Sequence, residues 1–141
     1  MDRDQTIFYG SEADLPVDAF RRVLAESGLG AIRPVDDAER LGRMVSGANL
    51  IVTARRGAPE GPLVGVARCV TDFSWCAFVP ELAVSRDAQG LGIGQGLLAE
   101  ARRLLGPEVA LFLVSVPEAV GFYKRAGMEH LADSFMFRRT R

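Results

Sequence analysis

The stretch Gln89-Gly90-Leu91-Gly92-Ile93-Gly94-Gln95-Gly96 carries four glycines at every second position. Without Cβ, backbone at such positions can reach positive φ and approach a ligand closely. Leu97, Leu98, Ala101, Leu104 and Leu105 follow at helical spacing and predict one apolar helix face. Ahead of the glycines, residues 78–84 read as a strand. The first amides of a helix lack intrahelical partners, and its dipole adds roughly half a positive charge at that end. Strand, glycine loop and helix in this order make an anion site suited to phosphate or pyrophosphate.

Two other phosphate motifs do not fit. A P-loop needs Lys-Ser/Thr after its last glycine, where this chain has Gln95 or Leu97. The dinucleotide pattern G-x-G-x-x-G ends on Gln95 if begun at Gly90, and on Leu97 if begun at Gly92. It also belongs after the first strand of a βαβ unit, whereas this loop comes late. The remaining alternative is a glycine turn that binds nothing, for which one or two glycines suffice.

Gln89-Gly90-Leu91-Gly92-Ile93-Gly94 resembles the Q/R-x-x-G-x-G/A signature of the GNAT superfamily of acyl-CoA-dependent N-acyltransferases. A second block, Gly121-Phe122-Tyr123-Lys124-Arg125-Ala126-Gly127-Met128, is similar to that family's F-Y-x-x-x-G-F segment, with Met128 in place of the usual Phe. The blocks stand in the family's order, about one helix and one strand apart. The resemblance implies acetyl transfer from acetyl-CoA to a primary amine by direct attack in a ternary complex. It also implies that the fourth and fifth strands run parallel and splay apart around the pantetheine arm. Main-chain groups of Leu82, Ala83 and Val84 would meet the thioester arm. The loop Gln89, Gly90, Leu91, Gly92, Ile93, Gly94 and Gln95 would hold the pyrophosphate.

Two side chains are candidates for the chemistry. Glu81 is placed to take the proton of an alkylammonium, whose pKa near 10.4 (about that of Lys) leaves little free amine at neutral pH. The competing reading is a carboxylate that hydrogen-bonds a neighbouring loop, and geometry decides between them. Tyr123, at its own place in the second block, is the candidate acid for the CoA thiolate, whose pKa of about 8.5 lies below that of a phenol near 10; the competing reading is a core aromatic. Pro80 cannot donate to a sheet ladder, so it predicts a bulge or an unpaired stretch in the strand bearing Glu81, the competing reading being an edge strand that tolerates a proline; the resemblance implies the bulge. Many relatives carry Asn near the start of the fourth helix, where Val116-Pro117-Glu118 stands here. Ser115 reads as a helix-capping hydroxyl that can also touch the acceptor.

These residues need a scaffold. Strands are expected at 6–9, 49–55, 63–70, 74–84 and 109–114, with helices from Pro16 to Gly28 or Gly30, along the Leu41, Met44, Val45 and Ala48 repeat, after the glycine loop, and from Pro117 to Ala126. Asp36 with Glu39 resembles a capping box. Residues 109–114 are apolar without alternation, which suits a strand buried on both faces. Met128–Leu131 and Phe135–Arg139 read as a closing hairpin. The expected fold is a three-layer α/β domain over residues 1–141, a mixed sheet of six to seven strands flanked by about four helices.

A chain of 141 residues is one domain by size. Its net charge of −1 offers no basic field for nucleic acid. No apolar run is long enough to span a bilayer, and Met1-Asp2-Arg3-Asp4 lacks the apolar core of a signal peptide. These features, with two cysteines too few for a disulfide framework, give a cytoplasmic expectation. No metal-ligand spacing is present. The acceptor, a small-molecule or peptide amine, is expected near Leu29 to Arg33 and the hairpin around Phe135. Phe73, Trp75 and Phe78 either line that site or belong to the core. Homodimers are frequent in the family, and the sequence leaves that state open.

Overall fold

A computed structural model of the chain describes residues 5–141. The stretch Met1–Asp4, read above for a leader, lies outside the described residues. Five strands form one sheet in chain order: β1 (Ile7–Ser11), β2 (Leu50–Arg56), β3 (Leu63–Thr71), β4 (Cys76–Val84) and β5 (Ala110–Phe112). The first three pairings are antiparallel, and β4 with β5 is parallel.

Helices α1 (Val17–Ser27) and α2 (Ala38–Gly47) cover one face of the sheet. Their Phe20, Val23, Leu24, Leu41 and Val45 bury against Ile51, Leu63, Val66 and Ala83. Helix α3 (Ile93–Leu105) covers the other, where Ile93, Leu97 and Ala101 meet Val52, Ala54, Ala67 and Ala77. Helix α4 (Val120–Arg125) is a short helix after a 3-10 turn at Pro117–Ala119. Of the two glycines offered, Gly28 ends α1, in the left-handed conformation at φ 95°. The cap of α2 falls one residue later than expected: the Asp37 carboxylate accepts from the Arg40 amide at 3.0 Å.

Gly65 fixes where α3 starts. A Cβ there would stand 3.0 Å from Leu97 Cδ1 and 3.1 Å from Ile93 Cγ2. The first turn of α3 therefore sits directly on the β3 backbone, and its amino end is held at the top of β4.

Among the described residues the strand count is five, not the six to seven expected. Residues 128–141 carry no helix or strand, so the closing hairpin is not formed. A two-stranded hairpin is marginal by itself in water and needs a sheet to lie on; here only three residues of β5 join the sheet. Nor is β5 buried on both faces. Leu111 and Leu113 pack toward α3, while Phe112 is 46% and Val114 60% exposed, because α1 and α2 do not extend over this edge.

Candidate active site

The cleft begins where β4 and β5 part. They pair only at Cys76↔Ala110, Ala77↔Leu111 and Phe78↔Phe112. Beyond Phe78, β4 runs on to Val84 while the chain after β5 diverges through Leu113 and Val114. Between them lies a cavity of about 860 Å³, within the size range of small-ligand sites.

Pro80 lies just past the last of these β4–β5 pairs. The β3–β4 register steps from Arg68↔Glu81 to Val70↔Phe78, so Val79 and Pro80 oppose the single residue Cys69. Of the readings open to a proline here, this is the bulge. Arg33, at the end of the 3-10 turn Leu29–Ile32, donates through Nη2 to the Pro80 carbonyl at 2.7 Å.

The four glycines divide by task. Gly90 and Gly92 have φ of 84° and 80°, and a Cβ on either would meet nothing within 4 Å. Their backbone conformation, not crowding, requires glycine. Gly94 and Gly96 are helical and closely covered: a Cβ on Gly94 would lie 2.9 Å from Phe122 Cζ, and one on Gly96 would collide with the Tyr9 phenol. Gly92 is the N-cap of α3, and no side chain caps the free amides that follow. They face the cleft as unsatisfied donors with the positive end of the dipole behind them, which fits a pyrophosphate.

Leu82, Ala83, Val84, Gln89, Gly90, Gly92, Ile93, Gly94 and Gln95 all line the cavity, and so does Tyr123. Leu91 does not; it is 58% exposed at the loop's outer side. Ile93 presents only main chain, since its side chain is buried in the core. Gln89 donates through Nε2 to the Val84 carbonyl at 3.0 Å, which ties the loop to the end of β4. Tyr123 meets Phe122 edge-on at 5.0 Å between centroids. Burial pushes its phenol above the ordinary value of about 10, keeping it protonated at neutral pH.

Glu81 is turned away from this cavity. It is 2% exposed and is absent from the cavity wall. Arg68 donates to both carboxylate oxygens, through Nε to Oε1 and Nη2 to Oε2, and Arg33 Nε donates to Oε2 at 2.8 Å. The Arg68 guanidinium is anchored in turn to the Met44 carbonyl at 3.1 Å. Both oxygens expected to serve as a base are therefore occupied by guanidinium groups. One of these partners, Arg33, comes from the Leu29 to Arg33 loop.

Ser115 lines the cavity, but its hydroxyl donates to the Val116 carbonyl at 2.6 Å instead of capping the turn that follows. Glu118 is the one carboxylate on the cavity wall among the described residues. Phe122 and Arg125 also line it; both lie in the F-Y-x-x-x-G block, whose spacing singles out Tyr123 alone. Leu29, Ile32 and Arg33 also line the cavity. Phe135 does not, being 96% exposed on the C-terminal segment. Phe73 and Trp75 are neither core nor cavity: they are 49% and 77% exposed at the β3–β4 turn. Cys69 is buried, which pushes its thiol up to about 11, so it is unsuited to nucleophilic work. Among the described residues, no group of His, Cys, Asp and Glu is arranged to hold a metal ion. No helix there is long and apolar enough to cross a membrane.

A comparison with curated protein sequences finds no significant match. A candidate acetyltransferase of Deinococcus radiodurans R1 superposes with a TM-score of 0.73 at 24% identity, over 98% of this chain and 92% of that one. A GNAT-family acetyltransferase of Streptococcus pneumoniae TIGR4 gives 0.71 at 24%, over 96% and 99%. An aminoglycoside acetyltransferase from an uncultured soil metagenomic sample, solved with sisomicin, gives 0.66 at 16%, over 95% and 97%. At these identities the likeness establishes the fold. The profile of the acetyltransferase (GNAT) domain matches residues 47–129, which include β4, the glycine loop, α3 and the Phe122-Tyr123 block. The chain is thus a member of the GNAT acetyltransferase family.

Proposed function

We propose that this chain moves an acetyl group from acetyl-CoA to a primary amine by direct attack of the amine in a ternary complex. The observation that carries the reading is the splayed β4–β5 cleft, with free α3 amides at one end and the Tyr123 phenol on its wall. The pyrophosphate would sit on the amides after Gly92. The pantetheine arm would run beside Leu82, Ala83 and Val84, continuing the sheet where β5 turns away. Tyr123 would donate its proton to the departing thiolate; its raised pKa keeps that proton available. With both Glu81 oxygens engaged by Arg68 and Arg33, the ammonium proton would leave to water through the cleft's open side. Glu81 would then act by fixing the bulge and the Arg33 loop in place.

The acceptor is a small-molecule or peptide amine, approaching past Leu29, Ile32 and Arg33. A location in the cytoplasm goes with the reading and with two free thiols, as does a single acetyltransferase domain over residues 1–141. A panel of amines incubated with acetyl-CoA, with free thiol followed over time, tests the proposal. Because one structural neighbour was solved with sisomicin, the panel includes aminoglycosides beside polyamines, amino acids, small metabolites and peptides. Acceptor-dependent thiol release is expected. The engaged state of Glu81 favours a second reading, an acyl-CoA-binding module without turnover. That reading predicts tight CoA binding and no thiol release with any acceptor.

A further inference from the structure

Glu81 draws more positive charge than it needs. Arg68 alone satisfies it, donating to both carboxylate oxygens. Arg33 adds a second guanidinium through Nε at 2.8 Å. No other carboxylate pairs with either arginine among the described residues. Two cations on one anion leave the cluster with one positive charge in excess. That excess belongs to the cavity side. Arg68 and Glu81 are absent from the cavity wall, whereas Arg33 is partly exposed and lines it.

The Arg33 guanidinium is pinned there with donors to spare. Its Nη2 donates to the Pro80 carbonyl at 2.7 Å and its Nη1 to the Ile32 carbonyl at 3.1 Å, and both of those residues are on the wall. Each terminal nitrogen carries a second N–H, and neither of these bonds to a protein group among the described residues. The side chain is thus in place before a ligand arrives and loses little freedom when one binds. The other charged side chains on the wall, Glu118 and Arg125, are of opposite sign and add no net charge. A cation drawn partly out of water, fixed in orientation and short of a counter-charge suits a carboxylate, which can take one bond from each terminal nitrogen of the fork.

We infer that the acceptor is an amine carrying a carboxylate on the same molecule, as a free amino acid does, and that Arg33 binds this carboxylate. The inference rests on the acetyl-transfer reading above. The cofactor's phosphates are not the missing counter-charge. They belong on the α3 amides past the end of β4, and Pro80 stands four residues before that end, roughly 13 Å at strand spacing. Holding the carboxylate on Arg33 leaves the amine of the same molecule to enter the β4–β5 cleft. Polycationic acceptors are disfavoured, because they meet a like charge at the same place.

The test is calorimetric titration of amino acids, each beside its own carboxamide, into the full chain saturated with CoA. The carboxamide keeps the amine and the side chain and removes the negative charge. Charge-assisted bonds of this kind should make the acid of a pair bind about 10- to 100-fold more tightly than its amide. The same order should appear in kcat/KM when thiol release is followed with acetyl-CoA. Arg33→Met should bring the ratio within each pair close to one and leave CoA affinity unchanged. The ratio cancels any general loss from a loosened bulge, and the wild-type comparison decides by itself if the variant does not fold. Equal binding of acid and amide, tighter binding of amides or polyamines, or no binding by any acid overturns the inference. So does a ratio that survives Arg33→Met, or a loss of CoA affinity in that variant, which would give the charge to the cofactor. Acid-selective binding that depends on Arg33, with no thiol release from any pair, would support the carboxylate site and refute acetyl transfer.

Discussion

Glu81→Gln tests what holds the cleft open. The carboxylate lies 2% exposed between two guanidinium groups, Arg68 with a side chain 10% exposed and Arg33 at 23%. The substitution would leave two cations facing each other across a neutral amide, inside the sheet-helix boundary. Breaking a buried ion pair by removing one partner costs about 3–5 kcal/mol. The amide oxygen can still accept one bond, so the lower end, ~3 kcal/mol, applies. At roughly 2.1 cal/mol/K per residue, a chain of 141 residues has an unfolding entropy of about 0.3 kcal/mol/K, so the melting temperature should fall by ~10 °C. Thermal melts followed by circular dichroism measure this directly. Glu81→Leu together with Arg68→Met should recover much of the loss, because an apolar pair of similar volume can replace a buried ion pair at little cost. In the acetyl-transfer assay, Glu81→Gln should lower kcat/KM by a factor that does not vary with pH, as expected of a positioning residue. An unchanged melting temperature with a pH-rate profile displaced toward the amine's own pKa would refute the reasoning. It would show that the carboxylate leaves its arginines and takes the proton itself.

Tyr123→Phe should lower kcat by about 10²-fold, at the lower end for a general acid, with CoA affinity by calorimetry nearly unchanged; full activity would dismiss the phenol. Gly94→Ala brings a methyl to 2.9 Å from Phe122, whose edge supports Tyr123. Turnover should fall, by up to ~10²-fold for a misplacement near 1 Å, with little change in melting temperature. Gly96→Ala should do the reverse. It must displace Tyr9 from α3, costing about 1–3 kcal/mol of stability while CoA binding is retained. Equal effects of the two substitutions would deny the division of labour among the glycines. Glu12 is held by Arg55 through paired hydrogen bonds at 2.8 Å, and by Thr53, which lowers its pKa from the ordinary 4.5. A depressed folded-state value stabilises above the unfolded pKa, and that stabilisation is lost as pH falls through the folded value. Glu12→Gln should therefore cost about 1 kcal/mol at neutral pH and nothing once both forms are protonated. A pH-independent difference in urea midpoints would contradict the assignment.

Local patterns in the sequence were enough to determine much of the molecule. Helical spacing of Leu97, Leu98 and Ala101 marked the buried face of α3, and Gly28 and Gly30 marked the end of α1 to within a turn, because both signals act within one or two turns of chain. Pro80 marked an interruption of the ladder, since a missing N–H disrupts it wherever its partner comes from, and the tertiary pairing made that interruption a bulge. Gly90 and Gly92 belonged to the loop because their φ values exclude most side chains. Other features depended on residues far apart in the chain. Glu81 meets Arg33 and Arg68 from 48 and 13 positions away, so spacing gave no sign that its oxygens would be occupied. Gly94 and Gly96 look like more of the loop, yet Phe122 and Tyr9 decide their need for glycine. The residues 128–139 alternate like strands, but a strand exists only where a neighbouring edge accepts its hydrogen bonds. That neighbour is a property of the assembled sheet, and within this chain β5 takes none of them.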